Sequence, residues 1–410
     1  MNVSLPFPPN VFANVPEDVV RRVEAARLKR VREQAAAHRL SAVVLFDPVN
    51  IRHACGARNM QVYSARNPAR YLFVPAEGPV ILFEYRSCEH LAAHLATIDE
   101  LRPAQTIMPL HFGYKHEGFL RTFVAEIEGL VARHGIFGRR IGIEATTTGA
   151  VLALERAGFD VVDAQIPVEK ARSVKVPGEV DLIRASLRLT EAAVASMEAE
   201  LRPGITEAEL WSHLHRMLIA GGGDYIETRL LSSGPHTNPW FQETSERVIE
   251  HGDLVALDTD AVGCYGYYSD FSRTFLAGDG RPSGTQRLLY GLAQEQIEHN
   301  IALLKPGLGF REFSERAWPI PSPYQKHRYL GVVHGCGMTG EYPIIAHAMD
   351  WDTVGHDDDA VFVPGMSVCV ESFIGHEDGG EGVKLEEQVL ITNEGVERLS
   401  VYGYDERLSA

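Results

Sequence analysis

A chain of 410 residues is longer than one hydrophobic core usually serves, so two domains are the expectation. Its 45% hydrophobic and 23% charged content describes an ordinary folded protein with a large core. A formal charge of -16, with no Lys/Arg block against it, argues against nucleic acid as a partner and leaves carboxylates free to act as cation ligands.

The opening "MNVSLPFPPNVFANVPEDVV" has no basic segment followed by an apolar one, and no run of eighteen apolar residues occurs anywhere. A cytoplasmic protein without a membrane span is therefore expected. Residues 18–38 carry a helical pattern, and "SAVVLF", "RYLFVP", "GPVILFEY" and "RIGIEA" read as strands, with a helix at "GFLRTFVAEIEGLVARHG" before the last of them. These make an α/β domain over residues 1–165, and no Gly-rich phosphate loop follows its strands. Near residue 172 the pattern changes to two amphipathic helices split by "RPGIT", where Thr206 and Glu209 have capping-box spacing. A second, α+β domain spans 166–410, strand-rich from about 225 and interrupted by the helix "GTQRLLYGLAQEQIEHNIALLK". The cysteines at 55, 88, 264, 336 and 369 are odd in number and form no C-x-x-C pair, which predicts neither a disulfide framework nor structural zinc. Cys336 reads as a small buried thiol.

The segment "HGDLVALDTDAVGCYGYYSDFSRTF" sets Asp258, Asp260 and Asp270 among apolar and aromatic residues. Asp270 has the look of a turn residue, but Asp258 and Asp260 follow the buried strand "LVAL", whose period of two puts both carboxylates on one face. Two close, partly buried anions need a counter-charge. Either basic residues, of which this stretch offers Arg273 and His251, or metal ions must supply it.

Three further stretches hold ligand-type side chains in apolar settings. His334 ends the run "LGVVH", as either a hydrogen-bonded core residue or a ligand. Glu371 continues the strand "GMSVCVESF", where a lone carboxylate is costly. Glu386 and Glu387 in "GVKLEEQVLIT" alternate, so one of them faces inward. No comparable set of buried cations is evident, and two divalent ions would nearly neutralise five such carboxylates. Oxygen-rich ligation with one imidazole suits manganese, iron, cobalt or zinc.

The motifs "VKVPGEVDLIR", "LRPGITEAEL", "GYYSDFSRTF", "HGCGM", "VCVES" and "KLEEQVLIT", in this order, resemble the creatinase, prolidase and methionine aminopeptidase superfamily. The resemblance covers essentially the whole chain. It implies a creatinase-type N-terminal α/β domain followed by a "pita-bread" catalytic domain with two metal ions, and a homodimer. The family usually sets its first metal aspartate eleven residues before the second, and here that position is Thr259. Aspartates on either side of it are similar to the pattern of the DddP-type dimethylsulfoniopropionate lyases of the superfamily, which ligate with both. "IRHACGARNMQVYSARNP", "IETRLLSSGPHTNPWFQE" and Tyr329, five residues before His334, extend the similarity. Carried over, the ligands are Asp258, Asp260, Asp270, His334, Glu371 and Glu386.

Two departures shape the expected chemistry. The histidines typical of Pro-specific peptidases are missing, since position 341 is Glu and His236 lies too early. The lyases' general base, six residues past the metal histidine, is replaced by Gly340. In a lyase, proton abstraction then falls to Glu341, Tyr329 or a metal-bound hydroxide, and a C–S or C–N bond of a small carboxylate substrate breaks. In the alternative, a dinuclear hydrolase acts on an X-Pro peptide bond or, like creatinase, on an amidine. Tyr63, Trp240, Phe241 and Tyr329 are the candidates for holding a substrate sulfonium or quaternary ammonium by cation–π attraction.

Overall fold

The computed structural model describes residues 11–108, 113–354 and 359–409, so the first ten residues of the opening segment lie outside it. The chain forms two compact units, one of Pro16–Arg172 with Val176–Gly178 and the other built mainly from Ser173–Lys175 and Glu179–Ala410.

In the first unit, β1 (Ala42–Leu45), β2 (Tyr71–Pro75), β3 (Ile81–Glu84), β4 (Glu100–Pro103), β5 (Arg140–Ile143) and β6 (Asp160–Asp163) make a sheet of order β4-β3-β2-β1-β5-β6. The strands β1 and β5 run parallel, whereas β1 and β2 run antiparallel. The central strands are apolar throughout because both faces are covered. Val44, Phe73 and Phe83 pack with Phe123, Ile127 and Leu130 of helix α4 (His116–His134), the fourth after α1 (Glu17–Ala37), α2 (Pro48–Cys55) and α3 (Gln61–Arg66). Val43, Leu45, Leu72 and Leu82 face the other way, onto Val31 and Ala35 of α1. Asp47 caps α2, accepting from the amides of Val49 at 2.6 Å and Asn50 at 3.2 Å.

The second unit opens with α5 (Glu179–Glu198) and α6 (Glu207–Ala220), numbering helices as they are introduced, and Thr206 caps the latter through the Glu209 amide at 3.1 Å. Next come β7 (Tyr225–Ile226), β8 (Leu231–Ser233), β9 (Leu254–Asp258), β10 (Ala261–Val262), β11 (Tyr268–Ser269) and β12 (Ser272–Leu276), and then α7 (Gly284–Leu303). The strands β13 (Gly331–Cys336), β14 (Gly340–Ala346), β15 (Ser367–Gly375), β16 (Gly382–Ile391) and β17 (Val396–Arg398) form a sheet of order β14-β13-β15-β16-β17.

Strand alternation divides this sheet into an apolar and a polar face. Val368, Val370 and Ile374 of β15, with Val383, Leu385 and Val389 of β16, share a core with Leu289, Ala293 and Ile297 of α7. The opposite face carries directly paired residues, Cys369 with Gln388, Glu371 with Glu386 and Phe373 with Lys384, and His334 pairs with Cys369 from the next strand. Register thus gathers an imidazole, two carboxylates and an ammonium on one surface.

Candidate metal centre

The three aspartates meet that surface from β9 and β12. Asp258 ends β9 and Asp260 follows in a left-handed conformation, at φ 40°, while Asp270 immediately precedes Phe271 and β12. All three are buried. Thr259 between them turns aside, its hydroxyl donating to the Ser269 carbonyl at 2.9 Å and accepting from the Phe271 amide at 3.1 Å. Donor atoms of Asp258, Asp260 and Asp270 lie within 4.8 Å of one another, as do those of Asp270, His334, Cys369 and Glu386. Asp270 belongs to both groups and joins them.

His334 Nε2 lies 3.1 Å from Glu371 Oε1, 3.3 Å from Glu386 Oε1 and 3.4 Å from Asp270 Oδ2. Its Nδ1 is 3.0 Å from the Gly335 carbonyl, which only accepts, so that nitrogen carries a proton and Nε2 faces three carboxylates. Three carboxylate oxygens converging on Nε2 require positive charge there, supplied by a proton on the ring or by a metal ion. Burial opposes the charged ring, but Glu371, Glu386 and Asp270 together push the imidazole well above its ordinary range. Burial, reinforced by Glu386, Asp260 and Asp258, raises the Asp270 carboxyl well above the usual carboxylate range. Burial and Asp258 push Asp260 up to about 7, even though Thr228 and Tyr268 both donate hydroxyls to it. Asp270 Oδ1 and Glu386 Oε1 are buried without a hydrogen-bond partner among the described residues. Two orphaned acceptors beside an imidazole nitrogen fit divalent cations, because buried carboxylate oxygens need charge and coordination.

The expectation that buried cations are lacking is corrected by Lys384. This fully buried residue of β16 places Nζ 2.5 Å from Glu371 Oε2, 3.0 Å from Glu386 Oε2, 2.7 Å from Ser272 Oγ and 3.4 Å from Asp258 Oδ2. Burial works against its charge, but Asp258, Glu371 and Glu386 hold the ammonium protonated well above its usual range. The residue is two positions before Glu386, so the alternation that turns Glu386 inward turns Lys384 with it. The cations named from sequence are engaged elsewhere: Arg273 pairs with Glu387 at 3.0 Å on the other face, and exposed His251 with Asp279 at 2.9 Å. Glu387 is therefore the outward member of its pair.

Glu341, expected as a base, has its side chain 1% exposed and ion-paired with equally buried Lys175. A Cβ at Gly337 would collide with the Glu341 carboxylate, which accounts for the second glycine of "HGCGM". Around Gly340, by contrast, a Cβ would meet only His334 Nδ1, at 4.0 Å. Tyr329 is half-buried beside the centre, and Glu371 first, then burial, raises its phenol far above the ordinary value. Its ring centroid is 5.4 Å from that of Phe241, which is 62% exposed at φ 71°. Buried Trp240 packs on Phe373. The cation facing Trp240 and Tyr329 in this structure is Lys384, with Nζ 5.9 and 5.6 Å from the two ring centroids. Tyr63 sits exposed on α3 of the other unit.

Sequence reasoning also missed Cys369. Its thiol donates to the Asp270 carbonyl at 3.5 Å, and burial, followed by Cys336, pushes it well above the ordinary thiol range. It stays protonated at the edge of the centre. Position i-2 from Glu371 on the same strand was the available signal.

Two compact units, the second enclosing a buried carboxylate and histidine cluster with orphaned acceptors, define a creatinase-type enzyme with a pita-bread catalytic fold. The chain belongs to metallopeptidase family M24, which it matches over residues 181–393, and residues 27–174 match the creatinase/prolidase N-terminal domain. It is 34% identical over 394 residues to the dimethylsulfoniopropionate lyase DddP of Roseovarius nubinhibens, covering 95% of this chain and 88% of that one. It is also 34% identical to the Roseobacter denitrificans DddP, over 93% of this chain and 86% of that one. An Xaa-Pro dipeptidase of Pyrococcus furiosus is 27% identical over 57% of this chain and 64% of its own. Among solved structures, the Pyrococcus horikoshii prolidase superposes with a TM-score of 0.74 at 21% identity, covering 92% of this chain and 99% of that one, and so shares the fold. Membership of this family implies an enzyme dependent on divalent metal ions. Among the described residues, no helix is long and apolar enough to cross a membrane.

Proposed function

We propose that this chain is a lyase with two divalent metal ions that cleaves a C–S or C–N bond in a small carboxylate substrate such as dimethylsulfoniopropionate. The observation that carries the reading is the pair of overlapping donor groups joined by Asp270, with Asp258 and Asp260 on either side of an averted Thr259. The same flanking pair marks the resemblance to the lyases, and identity to two of them over nearly the whole chain supports it. The six residues Asp258, Asp260, Asp270, His334, Glu371 and Glu386 would hold two ions, drawn from iron, manganese, cobalt or zinc. When bound, the ions supply Lewis-acid stabilisation of a substrate carboxylate as charge develops on the adjacent carbon.

The elimination removes a proton from the carbon next to the carboxylate and expels the β-substituent with the electron pair of its bond. From dimethylsulfoniopropionate this gives dimethyl sulfide, acrylate and a proton. Tyr329 retains its phenolic proton through the physiological range, which suits it to donating a hydrogen bond rather than abstracting a proton. Glu341 is buried and ion-paired with Lys175. Solvent admitted beside Gly340, next to His334, is the acceptor this arrangement favours. Phe241, exposed and tilted against the Tyr329 ring, offers an aromatic surface for the substrate's cationic end.

Incubating iron- or manganese-loaded protein with dimethylsulfoniopropionate, a carnitine-like betaine and an X-Pro dipeptide tests the proposal. Dimethyl sulfide release is expected, and release of proline alone would replace it with the peptidase reading. The resemblance also implies a homodimer, and the sequence pattern suggested a cytoplasmic location; light scattering tests the dimer, and cell fractionation the location.

A further inference from the structure

We propose that Lys384 is the third cation of the metal centre, and that its fixed charge holds both metal ions in the divalent state. The inference rests on the two-ion reading above. All three N–H bonds of Nζ have acceptors within the cluster, namely Ser272 Oγ, Glu371 Oε2 and Glu386 Oε2, with Asp258 Oδ2 at 3.4 Å. Glu371 and Glu386 each divide their oxygens, Oε1 toward His334 and Oε2 toward Lys384. The ammonium therefore grips one oxygen of each carboxylate and leaves the other, beside His334, to hold an ion.

Its charge completes the electrostatic balance. Asp258, Asp260, Asp270, Glu371 and Glu386 carry five negative charges when ionised, and two dications leave one of these uncompensated. Lys384 cancels it and brings the buried centre to neutrality. The side chain is 0% exposed, so water does not screen that charge from the ions. Without the ammonium, a centre of two dications would be an anion in a dry site, and conversion of one ion to the trivalent state would restore neutrality. A nearby fixed positive charge thus disfavours loss of an electron, as buried charges around metal sites do in general. The rings of Trp240 and Tyr329 also face the ammonium, with centroids 5.9 and 5.6 Å away.

The test compares wild type with Lys384→Arg, which keeps the charge, and with Lys384→Met and Lys384→Gln, which remove it. Each is loaded anaerobically with Fe(II), assayed for iron per chain by mass spectrometry, and then exposed to dioxygen as electron acceptor while ferric iron is followed by Mössbauer spectroscopy. All four proteins should hold two irons per chain. The Met and Gln variants should form ferric iron about tenfold faster or more, with the Arg variant at the wild-type rate. Wild-type oxidation rates in both neutral variants, or loss of iron from both, would overturn the inference by reducing Lys384 to a hydrogen-bond donor. Wild-type protein that binds no iron would instead refute the two-ion reading itself.

Discussion

Replacing Glu341 by Gln separates a structural role from a catalytic one. Glutamine keeps the shape and a hydrogen-bond acceptor but removes the buried charge that faces the Lys175 ammonium. Both side chains are 1% exposed, so solvent does little to relieve the loss. Removing one member of a buried ion pair costs about 3–5 kcal/mol. For a domain of this size, where each kcal/mol shifts the melting temperature by about 2–4 °C, the fall should be about 6–20 °C. The assay is urea denaturation of the metal-loaded protein, with metal content and dimethyl sulfide release measured well below the melting temperature. Metal content should match wild type, and the rate should change far less than the 10²- to 10⁴-fold typical of losing a general base. Adding Lys175→Met removes the opposing charge as well and should recover at least about 1 kcal/mol, the coupling of a contacting pair. An unchanged urea midpoint together with a rate loss of about 10²-fold or more would refute this reasoning and make Glu341 the base.

Three further outcomes follow from the geometry. Asp270→Ala should abolish binding of both ions, because Asp270 belongs to both donor groups, whereas Thr259→Ala should keep them while losing about 1–3 kcal/mol from its broken buried hydrogen bonds; equal metal content in the two variants contradicts the assignment. Gly340→Asp fits the open space beside His334 and should raise kcat for dimethyl sulfide release by about tenfold or more through a built-in base. A fall with both metals retained would mean that substrate occupies that space. In the first unit, burial and then Asp47 push Glu144 from 4.5 up to about 8, although it accepts the Phe46 and Asp47 amides at 2.8 and 3.0 Å. The folded state therefore binds the proton more tightly than the unfolded chain. The resulting stability, on the order of 5 kcal/mol, is complete below pH 4.5 and is lost as pH rises to about 8. Glu144→Gln should flatten that decline in urea midpoints taken at pH 5, 6.5 and 8.5, and an identical slope in both proteins would assign the pH dependence to other groups.

By itself the sequence determined the features that depend on neighbours along the chain. The helices at 179–198, 207–220 and 284–303 follow from apolar period and capping residues. The apolar strands of the first unit follow from burial on both faces, and the inward carboxylates are conspicuous because ionised groups are expensive in apolar runs. That Glu386 and Glu387 face opposite ways was legible, because strand alternation is local. Which of them faces the cluster was not, since the choice depends on how β16 pairs with β15. The tertiary structure alone decided the partners of the charged residues. Lys384 lies two positions before a residue picked out as a ligand, yet nothing local distinguishes a buried ammonium from a solvated one until Glu371 and Asp258 arrive from other strands. Glu341 stands next to Gly340, where a base was expected, but its carboxylate is claimed by Lys175, 166 positions away in sequence. Pattern along a chain fixes the direction a side chain takes from its own backbone, whereas the charge it meets there depends on register and packing between distant segments.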